Sequence, residues 1–217
     1  MTEPDPDSYA REIAAESLAA DDPTGWFERL YADAAGGTAV VPWDRGQPNR
    51  FLVPWTEKRW LRGDGRTAVV VGCGFGADAE HLASLGFETT AFDIAPTAVR
   101  DAAARHPRSS VRYQTADLLD LPPGWRFDLV LESMTVQSMP LSLRDKAIAG
   151  VRSLVAPGGT LLVIAAGRED GEPLDGPPWP LTRAELDAFA VGLSPVRIEE
   201  IREPDVLRWR AEFIRPA

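Results

Sequence analysis

The sequence predicts a doubly wound α/β fold, and three observations carry that expectation. Over 67–165 short apolar runs alternate with helical stretches. A glycine-studded turn, "GCGFGA", stands between the first apolar run and the first of those helices. The C-terminal stretch changes character, setting Leu207, Trp209, Ala211 and Phe213 alternately against Arg208, Arg210 and Glu212. Strand and helix in alternation imply a mostly parallel sheet covered on both faces, because parallel neighbours need crossovers and helices supply them.

At the start, "MTEPDPDS" is acidic and broken by proline, which predicts a frayed end, and "YAREIAAESLAA" reads as a short helix. In "DDPTGWFERLYADAAGG" Asp21 or Asp22 serves as N-cap, Pro23 fits the first helical position and Gly36 the exit, with Trp26, Leu30 and Tyr31 on one face. The loop "TAVVPWDRGQPN" leads to a helical stretch opened by Pro48 or Asn49 and kinked at Pro54. These pieces make an N-terminal helical cap over 1–66. The α/β core follows over 67–217, with strands at 67–71, 88–92, 111–115, 127–131 and 160–165, and helices at 77–85, 96–105 and 141–154. "LTRAELDAFA" adds a helix with a capping box from Thr182 to Glu185. The tail holds two strands joined by a Pro-Asp turn, an antiparallel hairpin on the sheet edge, and the charges over 199–215 read as its solvated face. With no repeat and no low-complexity linker, the 217 residues are expected to form a single domain.

Thirty-three acids against 23 bases give a net charge of −10, a field that repels phosphate backbones and anionic lipid. Neither nucleic acid nor membrane is expected as a partner. The single cysteine, Cys73, cannot form an internal disulfide, and no leader pattern or bilayer-length apolar run is present, so a cytoplasmic protein is expected. A monomer or weak homodimer acting on a small molecule fits this composition.

Glycines at 72, 74 and 76 let the backbone come close to a ligand over a helix N-terminus. Asp93 closes the next strand, within reach of the same crevice, where a carboxylate accepts both hydroxyls of a ribose. The competing explanation is a tight strand-to-helix turn with an acid as helix cap. Strand, turn, helix and acid in this order favour the nucleoside. "GCGFGA" also satisfies the dinucleotide pattern GxGxxA, with Ala77 as the last residue. Three features argue against a dinucleotide. Asp117 follows the third strand and is placed to take an adenine amino group, with the Leu118 amide beside it; too little chain remains for a substrate domain; and an antiparallel hairpin sits poorly in an all-parallel sheet.

"VVVGCGFG", the acid in "TAFDIAPTAV", "ADLLDLP", "FDLVLESMTVQSMP" and "LVAPGGTLLVI" together resemble the ordered motifs of class I S-adenosylmethionine-dependent methyltransferases, covering about 67–165. That resemblance implies a mostly parallel, seven-stranded Rossmann-like sheet whose last strand is antiparallel. It further implies S-adenosyl-L-methionine as cofactor, with Gly72, Cys73, Gly74 and Gly76 packed along it, Asp93 and Ile94 at the ribose, and Asp117 with Leu118 at the adenine. A narrower likeness lies in the flanks. "GWFERLYADAAGGTAVVPWDRGQPN", "GCGFGADA" and "GPPWPLTRAEL" are similar to the thiopurine S-methyltransferase and halide/thiol methyltransferase branch, which implies that Trp26, Tyr31 and Trp43 line the cofactor and Trp179 lies on the substrate side. The branch often carries a tryptophan where this chain has Leu30, so Trp43 is the stronger expectation than Tyr31.

Methyl transfer from a sulfonium is an in-line displacement, so the protein has to align the nucleophile and exclude water. Trp43 or Trp26 would cover and attract the positive sulfur, or simply pack the cap on the sheet. Glu132, after the fourth strand, would bind the methionine ammonium or orient a substrate proton, or be a solvated strand-end acid. In "ESMTVQSMP", Ser133, Thr135, Gln137 and Ser138 offer hydrogen bonds, and Met134 and Met139 would wall the substrate. Soft nucleophiles such as thiols need little help from a base. His81 and His106 fall in helices covering the sheet, Cys73 packs beneath the turn, and no cluster has metal-ligand spacing. The expected activity is methylation of a small, soft nucleophile, a thiol ahead of an oxygen or nitrogen. A non-catalytic nucleoside-binding domain and a nicotinamide oxidoreductase are the competing classes.

Overall fold

The computed structural model describes residues 5–172, 176–204 and 206–217. At its centre lies β1 (Thr67–Val71), whose Ala68 to Val71 are all buried because the strand is covered on both faces. To one side follow β2 (Glu88–Asp93) and β3 (Arg112–Thr115), and to the other β4 (Phe127–Ser133) and β5 (Val155–Gly167), all parallel. Two antiparallel strands, β6 (Ser194–Glu203) and β7 (Val206–Ile214), complete the seven-stranded order β3-β2-β1-β4-β5-β7-β6. The switch point falls between β1 and β4, so the crevice outside the carboxyl ends of the strands opens there.

One face of the sheet packs Val69, Val71, Val130 and Val163 against Ala147, Ile148 and Val151 of a helix, α6 (Leu141–Ser153). The other packs Val70, Leu131, Leu162 and Ile164 against Leu82 of α4 (Ala77–Ser84) and Leu52 and Trp55 of α3 (Leu52–Lys58). The cap helices α1 (Pro6–Ala19) and α2 (Gly25–Ala35) bury Ile13, Trp26, Phe27, Leu30 and Tyr31 against Ala95 and Ala98 at the start of α5 (Pro96–Arg105). No helix among the described residues is long and apolar enough to cross a membrane.

Several local expectations are corrected. Residues 1–4 of the frayed start lie outside the described residues, while Asp5 caps a helix that already begins at Pro6. Asp21 has a left-handed φ of 59° and caps nothing. Pro23 precedes α2, which starts at Gly25, because the Asp22 carboxylate accepts from the Gly25 amide (2.9 Å) in space a Cβ at Gly25 would take. Neither Pro48 nor Asn49 is helical: α3 begins at Leu52, and Pro54 falls in its first turn, where its missing N–H costs no hydrogen bond and no kink is needed. The helix expected from "LTRAELDAFA" is α7 (Arg183–Asp187) and a 3₁₀ turn over 188–190; its capping box is present. Asp205 of the hairpin turn lies outside the described residues. Nor is the hairpin face simply solvated, since Arg210 is buried, bonding Glu199 (2.6 Å) and the Phe51 carbonyl (3.0 Å), and Glu212 accepts from the Trp55 indole (3.1 Å).

Candidate active site at the carboxyl rim of the sheet

The glycine turn leaves β1 with φ of 59° at Gly72, 51° at Gly74 and 89° at Gly76, the region that residues with a Cβ rarely adopt. Thr135 lies against Gly72 and Tyr113 against Gly76, where a Cβ would collide with each; at Gly74 it would lie 3.1 Å from the Tyr31 hydroxyl. The space beside these glycines is thus already filled by side chains of the protein, so the turn itself requires glycine at these positions. Two surface hollows, of about 370 and 450 Å³, lie elsewhere, one beside Gly86 and Glu88 and one beside Trp60 and His81.

Asp93, at the tip of β2, is 6% exposed. Its two oxygens accept from the amides of Gly74 and Ala95, each at 3.0 Å. Burial raises its pKa above the usual carboxylate value, while the amides of Ala95, Gly74 and Ile94 pull it back and Glu28 pushes it up. Each oxygen keeps a free lone pair. The Ala116 amide donates to the Asp93 carbonyl (3.0 Å), which joins the tips of β2 and β3 and sets Asp117 one residue further on. Asp117 is half-buried and turns one oxygen back onto the Leu119 amide (2.8 Å); Leu118 is buried in the core on the α6 face.

The aromatic cap closes over the turn. Trp43, 40% exposed, donates its indole N–H to the Tyr31 hydroxyl (2.8 Å), and Tyr31 meets Phe75 edge to face. Arg105 lies 3.5 Å over Phe75 and bonds Asp44 (2.8 Å), tying the 43–49 segment to α5. Trp26 is 1% exposed and stacked on Phe27, so its ring is core; yet its indole N–H is buried without a partner among the described residues. Of the two roles open for Trp26 in the sequence, the ring takes the packing one.

Glu132 ends β4 fully buried rather than solvated. One oxygen accepts from the amides of Thr135 (2.8 Å) and Val136 (2.9 Å), closing a turn in which Met134 has φ of 66°. The other has no partner among the described residues. Burial pushes the carboxyl up to about 7, while the two amides and the Arg144 charge hold it down. Thr135 donates its hydroxyl to the Val71 carbonyl (2.8 Å), and Asn49 crosses the rim, donating its side chain to Ser133 (3.1 Å) and its amide to Asp78 (2.6 Å).

Met134 is half-buried and, like Phe51, packs on the α3 face of the sheet. Met139 is a correction: it is 3% exposed and packs under α6, so it walls no substrate. Trp179 is half-buried, its amide donating to the Gln137 carbonyl (2.7 Å) and its carbonyl accepting from Arg144 (2.7 Å). Arg144, buried, also pairs with Glu185 (2.8 Å); removing one partner of such a buried pair costs on the order of 3–5 kcal/mol, so the 176–180 segment is held firmly. Asn49, Asp78 and Arg144 escaped sequence reasoning because each is a common polar residue in a loop or on a helix. His81 bonds Thr56 (2.9 Å), His106 ends α5, and burial pushes the Cys73 thiol well up, which leaves it protonated. Among the described residues no group of acids, histidines and cysteine has metal-ligand geometry.

The strand order gives the rim a direction. Asp117 follows β3, Asp93 ends β2, the glycine turn follows β1, Glu132 nears the end of β4, and Ala166 with Arg208 lies beyond on β5 and β7. An adenine at Asp117 and a ribose at Asp93 would leave the far end of the same molecule at β1 and β4, with the rim toward β5 and β7 for a second reactant. Under the cap the Trp26 nitrogen, and near the β4 tip one Glu132 oxygen, are buried without a partner among the described residues.

A family model described as a methyltransferase domain matches residues 68–159. Over 199 residues the chain is 30% identical to a 2-heptyl-1-hydroxyquinolin-4(1H)-one methyltransferase of Mycobacteroides abscessus, covering 88% of this chain and 79% of that protein. It is 26% identical to a probable thiol methyltransferase 2 of Arabidopsis thaliana, covering 77% of each. Among solved structures, one concerning conversion of a disulfide bond into a thioacetal group in echinomycin biosynthesis superposes with a TM-score of 0.72 at 24% identity, covering 89% of this chain and 91% of that one. The N-methyltransferase NodS of Bradyrhizobium japonicum, in complex with S-adenosyl-L-homocysteine, superposes with a TM-score of 0.65 at 20% identity over 88% of this chain and all (100%) of that one.

Proposed function

The chain belongs to the class I S-adenosylmethionine-dependent methyltransferases that act on small molecules, and within that family we propose that its acceptor is a small thiol, reacting as the thiolate. The observation that carries this reading is the acceptor end of the rim. Past β4, Met134 and Phe51 are half-buried apolar side chains packed on the α3 face of the sheet, and on the α6 side Trp179 is half-buried where it bonds Gln137 and Arg144. A soft anion needs only to be aligned and kept from water. The likeness to the plant thiol methyltransferase supports the same choice.

The cofactor supplies an electrophilic methyl group on a positively charged sulfur. In this reading Asp93, with Ile94, holds the ribose, Asp117 and the Leu118 amide hold the adenine, and Gly72, Cys73, Gly74 and Gly76 give the chain its close approach. Tyr31 and Trp43 roof the turn and exclude water, and the Trp26 N–H is free to donate to a carboxylate. The free oxygen of Glu132 accepts from an ammonium group or takes a proton. The cap over 1–66 closes on the core over 67–217 as one working unit, a monomer or weak homodimer in the cytoplasm.

A second reading moves the methyl group to an oxygen, and a specific observation favours it: a buried carboxyl held near 7 with one unpartnered oxygen is suited to receive a hydroxyl proton at neutral pH. The likeness to a methyltransferase named for a 1-hydroxyquinolin-4-one points the same way. Incubating the chain with methyl-labelled S-adenosylmethionine and a panel of thiols, phenols, hydroxyquinolines and amines separates the two. Label is expected in thiols first. Label in hydroxyquinolines alone replaces the thiol reading, and tight cofactor binding with no S-adenosylhomocysteine from any acceptor makes this a non-catalytic nucleoside-binding domain.

A further inference from the structure

We propose that Arg208, with Arg50, forms an anion-binding subsite at the acceptor end of the rim, selecting acceptors that carry a carboxylate or similar oxyanion beside the nucleophilic atom. This rests on the methyltransferase reading above and deepens it by naming the charge of the acceptor.

Arg208 pairs with Ala166 of β5, at the carboxyl end of that strand. Its neighbours in register set its side: Ile164 opposes both Ser133 and Arg210, and Ala166 and Arg208 lie two residues further along the same face. That is the face crossed by Asn49 and Phe51, just past the β4 tip. The 43–51 segment spans the crevice from Trp43, over the glycine turn, to Asn49 at Ser133, and it carries Arg45 and Arg50 across with it.

The other cations of this rim are engaged. Arg210 bonds Glu199 and the Phe51 carbonyl, Arg144 bonds Glu185, and Arg168 bonds the Pro180 carbonyl (3.1 Å) and faces Glu185 (3.7 Å). Arg208 differs. Among the described residues it has no carboxylate within 4.0 Å, and its one hydrogen bond is a long one to the neighbouring Leu207 carbonyl (3.4 Å). It is half-buried, and burial, with the positive charges of Arg50 and Arg45, pulls its pKa below the ordinary arginine value against the opposing pull of Glu203. Arg50 itself pairs with Glu203.

A half-buried guanidinium is costly to hold without a partner for its charge, and a net charge of −10 makes the overall field of the protein unfavourable to anions, so an anion needs a local cation to bind. A guanidinium fork matches a carboxylate in two parallel hydrogen bonds, and such a bond is made only by acceptors that carry the anion.

The test is equilibrium titration of the full chain, loaded with S-adenosylhomocysteine, with 4-mercaptobenzoate and with 4-methylbenzenethiol, which share the thiol and differ in the carboxylate. The wild type is expected to bind the mercaptobenzoate about tenfold more tightly, a margin that narrows as salt rises. Arg208→Gln should remove most of that margin while leaving 4-methylbenzenethiol within about twofold, and Arg208→Lys should restore part of it. Equal binding of the two thiols by the wild type, no binding of the mercaptobenzoate, or an equal loss for both in Arg208→Gln overturns the subsite. The affinity for S-adenosylhomocysteine is read in the same series. Its absence defeats the methyltransferase reading, and the two thiols are then compared on the unloaded chain, where the same margin still decides for or against Arg208.

Discussion

Asp93→Ala is expected to abolish measurable cofactor binding and to destabilise the fold at once, because one buried carboxylate does two things at the tip of β2. It accepts from the Gly74 and Ala95 amides, and the alanine leaves both donors buried without partners. Each such orphan costs about 1–3 kcal/mol, so an unfolding free energy lower by roughly 2–6 kcal/mol is expected in chemical denaturation. The ribose hydroxyls lose a charged acceptor in a site of low dielectric, and calorimetric titration with S-adenosylhomocysteine should show affinity down by about 100-fold or more. Asp93→Asn keeps the volume and one acceptor oxygen. It should recover much of the stability while staying weak for the cofactor, which separates the two roles. Unchanged affinity in the asparagine variant removes Asp93 from the ribose site.

The second large effect is in the pH dependence of stability, and it belongs to Glu132. Unfolded, its carboxyl titrates at the ordinary 4.5; buried at the tip of β4 it titrates at about 7. Between those values the folded chain holds a proton that the unfolded chain has released. Stability therefore falls as pH rises from about 4.5 to 7, is flat above, and its full change from this one group is roughly 3 kcal/mol. Glu132→Gln should remove that slope. Asp78 and Asp93 are also held up by burial and keep a residual slope in the variant, so the difference between wild type and Glu132→Gln, measured by denaturant titration from pH 4 to 8, isolates Glu132. Parallel curves would mean that the carboxyl is not held near neutrality. The same variant informs the acceptor: an oxygen acceptor that gives its proton to Glu132 loses turnover in Glu132→Gln, whereas a thiolate that arrives ionised does not.

The sheet was legible in the sequence for local reasons. Apolar runs such as 67–71 report burial on both faces, the Thr182–Glu185 box is a four-residue pattern, and the three glycines make the tight strand-to-helix turn that was one of their two readings, each with positive φ. What was not legible depends on contacts far apart in the chain. Pro23 has the composition of a helix start, but the reach of Asp22 to Gly25 fixes the start two residues later. Met134 and Met139 are five apart in one apolar stretch; the left-handed Met134 sends its own side chain to the α3 face and Met139 into the α6 core. Arg208 and Arg210 look alike in an alternating strand. Only the arrival of Phe51 and Glu199 beside Arg210 sets it apart from Arg208, which has no carboxylate partner among the described residues. Glu132 reads as a strand-end acid until the turn over 133–136 folds its amides back onto it.

A crystal structure of the chain with S-adenosylhomocysteine tests the central claim most directly. The nucleoside is expected along the carboxyl rim, with ribose oxygens about 3 Å from the Asp93 carboxylate, adenine beside Asp117 and Leu118, and sulfur beneath Trp43 facing the β4 tip. A nucleoside seated in another hollow, or one on the rim with Asp93 still bonded to Gly74 and Ala95 alone, would contradict it.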